Sequence, residues 1–169
     1  MSHHTLLLLR HGIAQERRQD LDDGERALTP RGRSRTQAVL EQLVDRGLGA
    51  DRLISSPLVR AAQTAEIAVQ AGLAAAVEFD AALAPGGDAR ASLVGWLRPG
   101  GESSGGRPQR LLLVGHEPDL SILAARLLGA PDSALSLRKA GIAQLALPLD
   151  DPLAGGRLEL LLRPSLLLP

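Results

Sequence analysis

Catalytic chemistry in this chain has to run through few side chains. Its histidines are His3, His4, His11 and His116, and it contains neither cysteine nor tyrosine. Cysteine nucleophiles, thiolate metal sites and disulfides are therefore excluded. Arg10-His11-Gly12 sets a cation beside an imidazole, followed by a residue that lets the backbone turn sharply and approach a ligand closely. A neutral imidazole can attack phosphorus, forming a phosphohistidine that water then hydrolyses. Such chemistry depends mostly on neutralising the phosphoryl oxygens and holding attacking and leaving atoms in line. Arginine suits that task because its planar fork can bind two oxygens at once.

Two further segments carry candidate residues. In Ser55-Ser56-Pro57-Leu58-Val59-Arg60, Ser56 is expected to cap a helix that Pro57 opens. Arg60 would then lie one turn in, either pointing back toward the strand ends or pairing with a neighbouring carboxylate. The helix amino terminus adds partial positive charge for an anion. In Val114-Gly115-His116-Glu117-Pro118, His116 sits between a strand and a helix start. It could donate a hydrogen bond to a phosphate oxygen, preferably as imidazolium, or simply bond nearby backbone. Gln15 lies close enough to the first triplet to reach a bound phosphate.

The elements that must position these residues are legible from pattern. Leu6–Leu9 reads as a central strand buried on both faces. Thr29-Pro30 caps and opens a helix to about Arg46, closed by Gly47. Leu53-Ile54 is a short strand, followed by a helix from Pro57 to about Gln70 and a weak strand over Ala74–Phe79. Asp88 caps a helix over Ala89–Leu97, and Pro99–Pro108 has the composition of a surface loop. Leu111–Val114 is a second buried strand, a helix runs from Pro118 to about Leu128, and Ile142–Leu147 and Leu158–Leu162 close the chain as strands. This alternation predicts an α/β fold with a largely parallel sheet between helical layers. In such folds ligands bind beyond the carboxyl ends of the strands, where Arg10-His11, Ser55-Ser56 and Gly115-His116 all fall. Residues 1–169 read as a single domain, with 1–4 a flexible terminus rather than a histidine metal site.

The segments Leu6–Gly12, Leu28–Gly32, Ser55–Ile67, Val114–Ser121 and Leu137–Ala143 together resemble the histidine phosphatase superfamily. The likeness is closest to its small SixA-type phosphohistidine phosphatases. The resemblance implies a phosphoglycerate mutase-like α/β/α sandwich, no metal or other cofactor, His11 as the phosphorylated nucleophile, and Arg10, Arg60 and His116 as its phosphate pocket. Larger relatives carry a longer insertion that covers the pocket and supplies a glutamate general acid. Here only Ala71–Gly87 occupies that place. The absence of a cover suits a bulky substrate, such as phosphohistidine in a protein, for example in a histidine-containing phosphotransfer domain. The general acid is left open among Asp20, Asp22, Asp23, Asp80, Asp88 and Glu117. Alternatives are a small-molecule phosphomonoesterase or mutase, and a non-catalytic phosphoprotein-binding module.

Composition narrows the partners. Nineteen basic residues balance nineteen acidic ones, so there is no overall electrostatic footprint for nucleic acid or an anionic membrane. No segment reads as a signal peptide or membrane span, which makes the cytoplasm the expected compartment. All but one of the basic residues are arginine and asparagine is absent, a bias expected of a GC-rich genome. Arginine therefore counts as evidence only through position.

Overall fold

The computed structural model describes residues 3–97 and 107–168. Six strands form one sheet: β1 (His4–Arg10), β2 (Arg52–Ser55), β3 (Val77–Phe79), β4 (Arg110–Gly115), β5 (Ile142–Leu147) and β6 (Arg157–Leu162). Their order is β3-β2-β4-β1-β5-β6. The first four in that order run parallel, while β5 pairs antiparallel with both β1 and β6. This is the expected largely parallel α/β sheet.

Burial on both faces explains the leucine run of β1. Leu6 and Leu8 pack on one side with α3 (Ala89–Leu97) and α4 (Asp119–Leu127). Leu7 and Leu9 pack on the other with α1 (Pro30–Asp45) and α2 (Val59–Ala71). All four leucines are fully buried. With few aromatic residues, leucine and alanine fill both layers, which makes the three-layer α/β/α arrangement. No helix among the described residues is long and apolar enough to cross a membrane.

The topology also selects one crevice. The chain leaves β1 toward β2, and leaves the neighbouring β4 in the opposite direction toward β5. Loops that part in this way open a binding cleft at the carboxyl ends of the two strands. Arg10 pairs with Gly115 across that boundary, and the His11 amide continues the ladder to the Gly115 carbonyl at 3.1 Å. His11 and His116 therefore leave the sheet side by side.

Several boundaries differ from expectation for local reasons. His4 is not part of a flexible terminus: it opens β1, is buried, and its Nδ1 accepts the Gln109 amide at 3.1 Å. The helix expected from Pro57 begins at Val59, with Leu58 at the cap position and no side chain capping it. Ser56 Oγ instead accepts the Leu58 amide at 3.3 Å, forming a bend, so Arg60 is the second helical residue. Pro118 caps α4 rather than opening it, and β3 spans only Val77–Phe79. Thr29 and Asp88 cap as expected, accepting the Gly32 and Ala91 amides. Most of the expected Pro99–Pro108 loop lies outside the described residues.

Candidate phosphate pocket

His11 is oriented through its backbone neighbour. Its Nδ1–H donates to the Gly12 carbonyl at 2.7 Å, which leaves the lone pair on Nε2. Nε2 has no partner among the described residues. Gly12 is itself pinned, its amide donating to Thr64 Oγ1 at 3.0 Å, and Thr64 donating onward to the Arg60 carbonyl at 2.7 Å. A β-carbon at Gly12 would lie 2.2 Å from Thr36 Oγ1, so only glycine fits this close approach. The carbonyl that sets the His11 tautomer thus depends on a residue without a side chain.

His116 faces His11 with ring centroids 5.2 Å apart. Its Nε2 lies 2.7 Å from Ser56 Oγ. That hydroxyl already accepts the Leu58 amide, which favours its own hydrogen pointing to His116 Nε2. In this arrangement the imidazole carries its proton on Nδ1, an atom that is buried and without a partner. His116 can then donate to an anion while neutral, contrary to the expected imidazolium.

Burial holds both rings in that neutral form. Desolvation, with smaller contributions from His116, Arg60 and Arg10, pushes His11 down to about 3. His116 is pushed down to about 4, again chiefly by burial and then by Arg60.

The two arginines are held by acceptors that leave one edge open. Arg10 Nη1 donates to the Leu137 carbonyl at 2.9 Å, and its Nε is buried and unpartnered. Arg60, almost fully buried, donates from Nη1 to the Asp23 carbonyl at 2.6 Å and from Nη2 to Asp23 Oδ2 at 3.0 Å. Its Nε is likewise unpartnered. Of the two readings open for Arg60, the carboxylate partner is realised, and it coexists with a free donor edge. Arg26, and then Arg60, hold Asp23 down to about 2.

The structure brings together Arg10, His11, Arg60 and His116 but not Gln15. Gln15 is exposed, and its side-chain carbonyl accepts the Ala27 amide at 3.0 Å across its own loop. The remaining candidate acids are engaged elsewhere. Asp80 accepts from Trp96 Nε1 and the Ala82 amide, Asp88 caps α3, and Asp20 and Asp22 serve Arg18 and the Gly24 amide. Glu117 binds Ser121 and the Leu137 amide, steadying the segment that holds Arg10. No group of three or more His, Asp or Glu among the described residues is arranged to hold a metal ion.

Sequence reasoning missed Ser56, Thr64 and Thr36, and left the carboxylate partner of Arg60 unidentified. Ser56 and Thr64 lie within a segment already singled out, but as a helix cap and a helix residue. Their link to His116 and Gly12 is a contact between distant parts of the chain that spacing does not reveal.

This geometry agrees with what the chain is similar to. Residues 6–84 match the model of a family described as the histidine phosphatase superfamily (branch 1). Over 138 residues the chain is 40% identical to an uncharacterized protein of Picosynechococcus sp. strain PCC 7002, covering 81% of each. Among solved structures, it is similar to the protein histidine phosphatase SixA complexed with tungstate (23% identity, 96% and 99% of the two chains, TM-score 0.81). It is also similar to a mycobacterial glucosyl-3-phosphoglycerate phosphatase (23% identity, 93% and 97% of the two chains, TM-score 0.69).

Proposed function

The chain belongs to the histidine phosphatase superfamily, and from that premise we propose that it is a phosphohydrolase working through a phosphohistidine at His11, with phosphohistidine in a cytoplasmic protein as its substrate. The observation that carries this reading is a set of three buried side-chain nitrogens without partners among the described residues, on the two arginines and the histidine that lie close to His11. Arg10 Nε, Arg60 Nε and His116 Nδ1 have no hydrogen-bond partner among the described residues, and the Ser56 contact assigns the His116 hydrogen to Nδ1. An orphaned buried donor costs about 1–3 kcal/mol, so three around one imidazole favour an anion that satisfies all of them.

In the proposed reaction the phosphoryl oxygens take those three donors, and His11 Nε2 attacks phosphorus in line. The bond from phosphorus to the substrate nitrogen breaks as the bond to Nε2 forms, and the leaving imidazole takes a proton from solvent. Water then attacks phospho-His11, releasing inorganic phosphate and restoring the neutral ring. Preorganised donors at developing charge are usually the largest single contribution to such catalysis. A phosphoramidate nitrogen leaves readily once protonated, which fits a pocket where the carboxylate paired with Arg60, that of Asp23, is ionised and tied to arginines. A single domain over residues 1–169 is supported by a sheet whose strands come from both ends of the chain.

The protein substrate is supported by the short stretch from 72 to 88, which forms only β3 and a 3-10 turn. None of its described hydrogen bonds reaches the four pocket residues. The test is a comparison of kcat/KM on a phosphohistidine-bearing phosphotransfer domain with that on phosphate esters, including glucosyl-3-phosphoglycerate. A clear preference for the phosphoprotein is expected. Preference for an ester would replace it with the small-molecule reading, and binding without turnover of any substrate would favour a silent phosphoprotein-binding module.

A further inference from the structure

A second cationic site shares a wall with the phosphate pocket. It is a concave region of about 500 Å³ whose lining includes Arg10 together with Arg31, Arg35, Arg138, Lys139 and Arg163. No carboxylate lines it among the described residues. The side chains of the last five residues form no hydrogen bond or ion pair among the described residues, although ion pairs are common elsewhere on the surface. Because the whole chain is formally neutral, this convergence leaves the remainder net acidic.

These cations are presented by fixed backbone. Arg31 and Arg35 are four residues apart on α1, hence on one helix face. The start of α1 is clamped to the turn after His11. The Thr29 amide donates to the Ile13 carbonyl at 3.0 Å, and a β-carbon at Gly32 would lie 2.0 Å from that oxygen. Arg138 and Lys139 precede Ala140, a non-glycine residue with φ of 58°. Its amide donates to the Arg10 and His11 carbonyls at 3.1 and 3.2 Å. The Gly141 amide closes the turn onto the Arg138 carbonyl at 2.7 Å. A strained residue tying this turn to the nucleophile's own backbone holds two cations beside Arg10. Arg163 follows directly on β6.

We infer that this site docks an acidic segment flanking the phosphohistidine of the protein substrate, so that aspartate and glutamate side chains lie along the cations while the phosphoryl group enters the pocket past Arg10. The inference rests on the phosphoprotein reading above. Small-ligand sites are mostly apolar with a few placed polar groups. Six of the nine residues that line this one are cationic, and their charges suit summed attraction to several carboxylates more than recognition of one group. Such a field acts mainly on encounter and selection of the partner.

The test uses two synthetic phosphohistidine peptides, identical except that four flanking residues are aspartate in one and serine in the other, with phosphoramidate as a small substrate. At low salt the wild type is expected to favour the acidic peptide at least tenfold in kcat/KM. That preference should vanish in Arg31→Glu/Arg163→Glu and at high salt, while phosphoramidate turnover is unchanged. The single variant Arg138→Glu, also exposed, should give a smaller loss in the same direction. Binding of the unphosphorylated aspartate peptide, read by fluorescence anisotropy, checks docking without catalysis and should weaken in parallel. Equal treatment of both peptides by wild type and variants overturns the docking inference, yet leaves the phosphatase reading intact if phosphoramidate is consumed. Loss of phosphoramidate turnover in the wild type with salt-sensitive anisotropy preserved would do the reverse. A phosphorylated sugar bisphosphate that outcompetes the acidic peptide at the site would overturn the choice of a protein segment.

Discussion

The proposed phosphate pocket and the basic site beside it both use arginine, but by opposite physical means. In the pocket Arg60 is buried and held at two points by Asp23, and Arg10 is held by a carbonyl. Each guanidinium has one defined orientation and an unpartnered Nε. In the basic site the side chains of Arg31, Arg138 and Arg163 are exposed and individually unheld, while the backbone that carries them is fixed. Buried charge must be positioned to be useful, since desolvation makes any misplaced group costly. Exposed charge is worth little singly and acts through its sum. Arg10 belongs to both regions, so substitutions can separate geometry from field.

The largest effect should come from His11→Ala. Removing the attacking atom should lower kcat by about 10³-fold or more, with no rescue by substrate concentration. Thermal unfolding of the variant should confirm that the fold persists. Next comes Arg60→Lys, which keeps the charge but loses the planar fork that Asp23 grips. Removing a preorganised donor of this kind typically costs about 10²–10³-fold in kcat. Measuring kcat for Arg60→Lys beside Arg31→Lys sharpens the comparison, because only the buried site should depend on the fork. Indistinguishable losses at the two positions would break it.

A smaller effect is expected from Ser56→Ala. His116 Nε2 loses its donor and the ring is freed to take the other tautomer, so activity should fall roughly tenfold, about 1.4 kcal/mol. The signature is spectroscopic: the nitrogen shifts of His116 should move from the Nδ1–H toward the Nε2–H form. A purely structural role for Ser56 would leave that tautomer unchanged.

Proton linkage gives the last prediction. His11 and His116 bind protons at about 3 and about 4 in the folded chain but near 6.5 when unfolded. Between these limits the unfolded state holds more protons, so stability is full above about pH 6.5 and declines as pH falls toward 4. The two together can give a slope of up to roughly 2.7 kcal/mol per pH unit near pH 5. Denaturant unfolding across this range should show that slope, reduced by about half in His116→Gln. kcat/KM, by contrast, should not follow an acid limb at pH 6.5, because the attacking ring stays neutral well below it.

Much of this was legible in the sequence because parallel strands declare themselves as leucine runs and turns as glycine or proline. Arg10, His11 and His116 fall at strand ends, where topology alone puts ligands, and Arg60 follows a strand end closely. The misreadings share a cause. Ser56 looked like a helix cap because Ser-Pro has that local preference, but its hydroxyl is taken by a histidine sixty residues away. Gln15 looked available because nothing local marks the Ala27 amide as its partner. His4 looked terminal because strand length past Leu6 depends on pairing with Leu147. The arginines of the basic site were hidden by compositional bias, and only the convergence of α1, the turn before β5 and the end of β6 sets them apart.

The central claim is that His11 Nε2, and no other atom, carries the phosphoryl group. Rapid alkaline quenching during turnover of phosphoramidate, followed by phosphorus and proton NMR of the labelled protein, tests it directly. The hydrogen bond from Nδ1 to the Gly12 carbonyl predicts phosphohistidine substituted at Nε2 of His11, absent from His11→Ala. Label on Nδ1, on His116, or retained in His11→Ala would contradict the account.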